Sequence, residues 1–506
     1  MRLYKNKLLL IKGIVKAPDA KLIEYKATKF TALPWTANTY QALIAQNMVN
    51  VPAPISGYDF SKSPYKPYAH QRATVNFFLA NPKAFCWNDA GTGKTACCLW
   101  ALDYLLQQHQ VTKILIICPL TTSEAVWGSD CEALIPHETC NILIGNAAKR
   151  AKLFNKSCEI FIINHDGIKT MEKELAKWRP DLIIVDEHTA FKNQRTQRFR
   201  SLRAICKRTK YIWMLSATPM PQAPTDVYAP AKIICPDAVG RSFVRFRDLV
   251  MLQISMHKWV PRDNFEKIIA ETVKPAIRFS RDDCLDLPNI IYQDFEVKLS
   301  KKQALAFKEL RRDAILLLDE GEVTAVNAGV MHNKLLQCCS GYVYDTNHYI
   351  VDLTPGPRLE ALKELISESR RGVLVFLSYK SAMTAVNNYL KNEFSTAVIN
   401  GDTKLKDRTS YFELFQNGKI KVLLAHPRTM AHGITLTAAD TIIWYSVTSD
   451  NELYPQANAR IQRIGQTHKM RVVHLIGTKF EKNILKRLKQ KEAMQGLLLE
   501  TFGNNS

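Results

Sequence analysis

Four short runs built mostly of Ile, Leu, Val and aromatic residues recur between amphipathic stretches: Lys113–Cys118, Ile160–Asn164, Leu182–Val185 and Tyr211–Leu215. A strand apolar on both faces needs cover on both sides, which a parallel sheet flanked by helices provides. Residues 66–230 are therefore expected to form one α/β domain. The alternation returns after Pro355, with strands expected at Val373–Leu377, Thr396–Ile399, Lys421–Ala425, Thr441–Tyr445 and Val472–Ile476, in a second α/β domain over 351–490. A chain of 506 residues is too long for one ordinary core, so two such units suit it. The two share a pattern and not a sequence.

Between them, 231–350 loses the alternation. It is rich in Arg, Lys and Asp and has helical periodicity from Lys301 to Leu318, so a helical insert and linker is expected. Residues 1–65 read as a small accessory element, with a β-like start at Leu8–Val15 and prolines at 52, 54, 64 and 67. A basic helix from Glu481 to Leu497 runs into a tail at 491–506.

Lys and Arg number 69 against 47 Asp and Glu, a formal charge of +22. This excess favours a polyanionic partner, because each cation placed on a phosphate releases condensed counterions. The twelve cysteines include the adjacent pairs Cys97–Cys98 and Cys338–Cys339 and no C-x-x-C spacing. They read as buried free thiols in a reducing compartment rather than as a zinc site. The apolar run Leu8–Ile11 is too short for a signal-peptide core, and no stretch approaches a membrane span. A cytoplasmic protein is expected, in the host cytoplasm if the chain is viral; no residue pattern sets an oligomeric state, and a monomer suits the chain.

The strongest local motif is Ala90-Gly91-Thr92-Gly93-Lys94-Thr95. Glycines let backbone N–H groups wrap phosphate oxygens at a helix N-terminus, with Lys94 reaching the β- and γ-phosphates and the Thr95 hydroxyl ligating Mg²⁺. Asn88 stands where the usual first glycine falls. Further on, the apolar run Leu182–Val185 ends in Asp186-Glu187. A strand-end Asp holds Mg²⁺ and a neighbouring Glu polarises the attacking water. Together the two motifs predict ATP hydrolysis. Ser216-Ala217-Thr218 comes after the next apolar run, where hydroxyls either satisfy backbone groups or link the carboxylates to a bound nucleic acid. Gln71, ahead of the phosphate loop, offers a donor and an acceptor to an adenine edge. Near the C-terminus, Gln456, Arg460 and Arg463 recur at helical spacing, and the guanidinium groups are candidates to stabilise charge on the γ-phosphate.

In this order the motifs resemble helicase superfamily two, and within it the Swi/Snf-type translocases, over roughly residues 66–490. Gly91–Thr95 is similar to motif I, Ile116-Ile117-Cys118-Pro119-Leu120 with Trp127 to motif Ia, and Asp186-Glu187-His188 with Lys192-Asn193 to motif II. Leu287-Pro288 and Leu299-Ser300 with Gln303 resemble the linker into the second lobe, and Ile399–Asp402 with Arg408 motif IVa. His432–Asp440, including Gly433, looks like motif V, and the run from Gln456 to Gln466 is the match most specific to this branch. The sequence departs from the pattern at His188 and Thr189, where the family has Ala and His; this puts the usual hydrogen bond between motifs II and III in doubt. Ser216-Ala217-Thr218 replaces the Gly-Thr of chromatin remodellers, and Pro427–Met430 departs from the glycine-rich approach to motif V.

The resemblance implies two RecA-like lobes clamping one nucleotide, with ATP and Mg²⁺ as cofactors, in a compact viral or bacterial member. It implies an ATP-dependent translocase on double-stranded DNA, which remodels junctions or protein–DNA complexes, as in repair or recombination. Two alternatives stand beside it: a strand-separating DNA or RNA helicase, and a nucleotide-gated subunit that hydrolyses weakly. The nucleic-acid contacts themselves are not legible in the sequence.

Overall fold

The computed structural model describes residues 1–490 apart from 5–7, 26, 27, 49, 156, 257, 285–287, 320–324, 346–348, 431–434 and 464. It divides into two compact units, Met1–Cys284 and Leu285–Met494. Among the described residues no helix is long and apolar enough to cross a membrane.

The first unit opens on a four-stranded antiparallel sheet: β1 (Arg2–Tyr4), β2 (Leu8–Lys12), β3 (Lys21–Tyr25) and β4 (Thr28–Pro34), in the order β1-β2-β4-β3. Strands β5 (Lys83–Cys86), β6 (Ile114–Cys118), β7 (Cys140–Leu143), β8 (Ile160–Asn164), β9 (Leu182–Val185) and β10 (Tyr211–Leu215) come next, alternating with helices. An antiparallel hairpin, β11 (Met251–Ser255) and β12 (Lys258–Pro261), precedes the short β13 (Ala276–Ile277). The large sheet runs β13-β5-β10-β9-β6-β8-β7, every pairing parallel. All residues of β6, β8, β9 and β10 are buried, as their two-sided apolar character requires.

The second unit begins with β14 (Ile290–Glu296) and the small hairpin β15 (Tyr342–Tyr344) and β16 (Ile350–Asp352). Then come β17 (Gly372–Phe376), β18 (Thr396–Ile399), β19 (Val422–Ala425), β20 (Ala439–Trp444) and β21 (Met470–Ile476). Its sheet, β14-β21-β20-β17-β19-β18, is again wholly parallel. Two apolar clusters cover its two faces, one around Trp444 and Phe415, the other around Leu362 and Tyr445. Arg358, 1% exposed, bonds both oxygens of buried Glu481 (2.8 and 3.1 Å) and the Tyr445 carbonyl (2.6 Å). A buried charge is tolerated only when paired in this way.

The stretch 231–350, expected to be helical, holds the helix Lys301–Asp319 but also strands β11 to β16. Most are edge or hairpin strands of three to five residues, or fewer, with weak alternation. Helix is described over 479–490 of the expected Glu481–Leu497; the tail 491–506 lies outside the described residues.

Candidate functional site

Strands β5, β10 and β9 are neighbours in the sheet, with Cys86 opposite Leu215 and Met214 opposite Val185. Their C-terminal ends therefore lie side by side. Strand β5 leads into the phosphate-loop motif, β10 into Ser216, and β9 into Asp186-Glu187. Motifs about ninety residues apart in sequence thus meet at one sheet edge, the usual place for ligands in open parallel sheets.

The loop after β5 turns through Gly91 (φ +88°) and Gly93 (φ +82°), left-handed conformations that favour glycine, and enters the helix Lys94–Gln107. A Cβ on Gly93 would collide with the Gln71 side chain. The Lys94 ammonium donates to the carbonyls of Asn88 (2.8 Å) and Asp89 (3.0 Å), which holds it over the loop at the positive end of the helix. Thr95 lies in the first turn of that helix. The buried Thr92 carbonyl accepts from Gln71 Nε2 (3.1 Å) and also contacts His70 Nε2 (3.0 Å), while the Gln71 Oε1 accepts from the Tyr68 amide (2.9 Å). Gln71, expected at the adenine, thus ties the preceding helix to the loop.

Asn88 has a packing reason to replace glycine. Its buried amide donates to the Thr74 hydroxyl (2.9 Å) and accepts from the Phe279 amide (2.9 Å). The neighbouring Asp89 pairs with Arg278 (2.6 Å) and accepts from the Arg281 amide (2.9 Å). The segment after β13 therefore staples the phosphate loop from the edge of the sheet, a role that no local pattern in the sequence signals.

Asp186 is fixed on every side. Its amide donates to the Ile117 carbonyl (2.8 Å), its Oδ1 accepts from the Glu187 amide (3.1 Å), and its Oδ2 accepts from the Trp127 indole N–H (3.0 Å). His165 Nε2 donates to its carbonyl at 2.8 Å; burial holds this imidazole down to about 4, so it is neutral. Desolvation raises the Asp186 carboxyl, opposed by the Trp127 bond, the nearby Lys94 charge and the Glu187 amide. Trp127 sits on a π-helical stretch, Ser123–Gly128, whose wider turn sets the indole beneath the carboxylate. Sequence periodicity does not reveal such a turn, so this donor was legible only as part of motif Ia.

Glu187 takes a left-handed conformation (φ +50°, ψ +58°), rare for a residue with a side chain and characteristic of functional turns. Its Oε2 accepts from Ser216 Oγ at 3.3 Å, and Ser216 Oγ in turn accepts from the Thr218 amide at 3.1 Å. A link between the second and third motifs is therefore present, and Glu187 makes it. His188 points instead into the core, where Trp87 Nε1 donates to its Nε2 (3.1 Å) and Phe85 packs edge-on. Burial lowers this imidazole to about 3 and keeps it neutral. Ala217 and Thr218 are buried.

In the second unit the run beginning at Gln456 is helical only over Leu453–Asn458. Arg460 and Arg463 lie on the turns beyond it, which corrects the expectation of one continuous helical face. Long-range bonds shape these turns: the Leu436 amide donates to the Arg460 carbonyl (3.0 Å), and Gln466 Nε2 donates to the carbonyls of Ala439 (2.8 Å) and Ile461 (3.1 Å). Arg460, 2% exposed, donates from Nε to the Gln456 carbonyl (2.9 Å). Gln456 is buried, and Arg463 is half-buried. Gly433 lies outside the described residues. Arg408 folds back on the carbonyls of Thr403 (2.9 Å) and Asn400 (3.0 Å), shaping the turn after β18.

Residues 70–343 match the model of the SNF2-related domain, and 357–468 that of the helicase conserved C-terminal domain. The chain belongs to the SNF2-related helicase family: it is a helicase-like enzyme that hydrolyses ATP and acts on nucleic acid. Protein p41 of Acyrthosiphon pisum secondary endosymbiont phage 1 is 27% identical over 87% of this chain and 99% of its own length. An uncharacterized ATP-dependent helicase of Mycoplasma genitalium is 23% identical over 77% of this chain, and the SWI/SNF chromatin-remodeling complex subunit snf22 of Schizosaccharomyces pombe 22% identical over 85%. The match spans only 37% and 28% of those two longer proteins. A solved structure, the Sulfolobus solfataricus SWI2/SNF2 ATPase core in complex with dsDNA, is 20% identical, with 88% of this chain and 95% of that one covered and a TM-score of 0.42.

Proposed function

We propose that the chain is an ATP-driven translocase on double-stranded DNA, which hydrolyses ATP to ADP and phosphate and remodels DNA junctions or protein–DNA complexes. The observation that carries this reading is the convergence of the Lys94 loop, Asp186-Glu187 and Ser216 on the ends of three adjacent strands. Lys94 compensates the β- and γ-phosphate charge, Glu187 polarises the attacking water, and Arg460 and Arg463 stabilise the charge that develops as the terminal phosphate departs. The Ser216–Glu187 bond gives the water-polarising carboxylate a mechanical connection to the turn after β10. Gln71 and Gln456 are proposed on the nucleotide, and Ser216, Ala217, Thr218 and Gly433 in coupling. The relative named as a subunit of a SWI/SNF chromatin-remodeling complex supports duplex DNA as the track, and the charge of +22 supports a phosphate-held one. A reducing cytoplasm is the proposed setting.

The Thr95 hydroxyl, in the first turn of the helix after the glycine loop, and the Asp186 carboxylate are both oxygen donors of the kind Mg²⁺ takes. When bound there, the ion would neutralise phosphate charge. Trp127 is a positioning residue for that carboxylate. Replacing it with Phe keeps the packing and removes the donor to Oδ2, so the Mg²⁺ concentration giving half-maximal turnover is expected to rise about 10-fold or more, as for other outer-shell partners. Turnover titrated with Mg²⁺ at saturating ATP checks it; an unchanged midpoint would leave Trp127 as core packing only.

Duplex DNA is expected to stimulate hydrolysis more than single-stranded DNA or RNA, with stimulation weakening as salt rises. The same enzyme is expected to displace a triplex-forming strand without unwinding a tailed duplex. The hydroxyl-bearing Ser216-Ala217-Thr218, bonded to Glu187, favours a second reading, a strand-separating helicase, and unwinding of the tailed duplex would select it. Rates indifferent to all three nucleic acids would defeat both.

A further inference from the structure

The first 69 residues lie ahead of the family match, yet those described among them form strands and helices, and the segment is strongly charged. Residues 1–30 carry eight basic side chains (Arg2 and Lys5, 7, 12, 16, 21, 26 and 29) against Asp19 and Glu24, a disproportionate share of the chain's excess. One face of the antiparallel sheet is spent on packing: Leu9, Ile11 and Leu33 bury themselves with Trp35 and Leu43. Strand register determines what the other face carries. Leu10, Ala32 and Lys21 align across β2, β4 and β3, and so do Lys12, Phe30 and Ile23. Lys12 and Lys21 are exposed, Ile23 is 43% exposed, and Phe30 is half-buried between Lys12 and Ile23. Among the described residues no carboxylate lies within ion-pair distance of either lysine.

We propose that this outer face of the N-terminal sheet is a second nucleic-acid site, which holds a single strand by its phosphates on Lys12 and Lys21 and stacks a base on Phe30. The proposal rests on the reading of the chain as a nucleic-acid motor. Charge complementarity selects a polyanion, and the aromatic ring selects a single strand over a duplex, because only unpaired bases expose a face to stack. A site of this kind, separate from the parallel sheets, would let the enzyme prefer DNA in which a duplex meets a single-stranded tail.

The test is fluorescence anisotropy with the full chain, using a tailed duplex and a blunt duplex. The wild type is expected to bind the tailed form more tightly. Lys12→Glu with Lys21→Glu should remove that preference and lower the slope of log affinity against log salt by about 1.4, the contribution of two contacts to a single strand. Phe30→Leu keeps an apolar side chain in the sheet and should weaken tail binding about 10-fold. Hydrolysis stimulated by the blunt duplex should stay at the wild-type rate in both variants. Unchanged tail affinity and salt slope in the charge-reversal variant would overturn the proposal while leaving the motor reading intact. Variants that alter only self-association in sedimentation would overturn it too, assigning the face to a second copy. A wild type that binds neither DNA, and is stimulated by neither, would sink both readings.

Discussion

Lys94→Ala is expected to abolish measurable turnover, a loss of at least about 10³-fold, corresponding to about 4 kcal/mol of transition-state stabilisation. In the structure the ammonium is held by the carbonyls of Asn88 and Asp89 at 2.8 and 3.0 Å, at the start of the helix Lys94–Gln107. Without it, the loop meets a triphosphate with backbone N–H groups and a helix end equivalent to roughly half a positive charge. A charge-assisted hydrogen bond to phosphate is worth about 1.5–3 kcal/mol, and the loss grows where charge develops in a site closed to water. Folding should survive, because these bonds join the side chain only to its own loop. The checks are phosphate release at saturating ATP and a thermal melt of the variant. Turnover within a few-fold of wild type, with the fold intact, would mean that this loop is not where the phosphates sit.

The parts of this enzyme that were legible in the sequence are those whose signal is local. The strands Ile160–Asn164, Leu182–Val185 and Tyr211–Leu215 coincide with the apolar runs, because burial on both faces leaves little choice of residue type. The glycine loop and Asp186-Glu187 were readable for the same reason: φ above zero at Gly91 and Gly93 restricts the residue, and strand-end carboxylates stand out against Leu182–Val185. The features that escaped depend on contacts between distant segments. Arg278 reaches Asp89 from just beyond a strand of two residues, too short to have a period. Trp127 reaches Asp186 through a π-helical turn that breaks the spacing on which helix reading relies. Ser216 bonds Glu187 across twenty-nine residues of sequence, a pairing that neither motif announces. The arginine run was legible as composition but not as shape, since Gln466 and Leu436 bend it through bonds to residues far away in sequence.

That bent run leads to the second large effect. Arg463→Ala is expected to bind nucleotide within a few-fold of wild type and to hydrolyse it about 10³-fold more slowly, the size of effect finger arginines supply. The asymmetry comes from where the charge is needed. An arginine that meets the γ-phosphate mainly as negative charge shifts in the transition state contributes little to ground-state affinity. Arg463 is the cleaner of the two arginines to remove. Arg460 is 2% exposed and anchors its turn through the Gln456 carbonyl, so Arg460→Ala would mix a folding defect into the kinetics. Arg463 is half-buried on the following bend, where its backbone carbonyl accepts from the Gln466 amide at 3.0 Å, a bond that survives the substitution. Fluorescent-nucleotide titration beside single-turnover hydrolysis separates the two quantities. If affinity and rate fall together by the same factor, Arg463 is a ground-state contact and its proposed role in the transition state is wrong; if neither falls, the guanidinium belongs to the architecture of the turn alone.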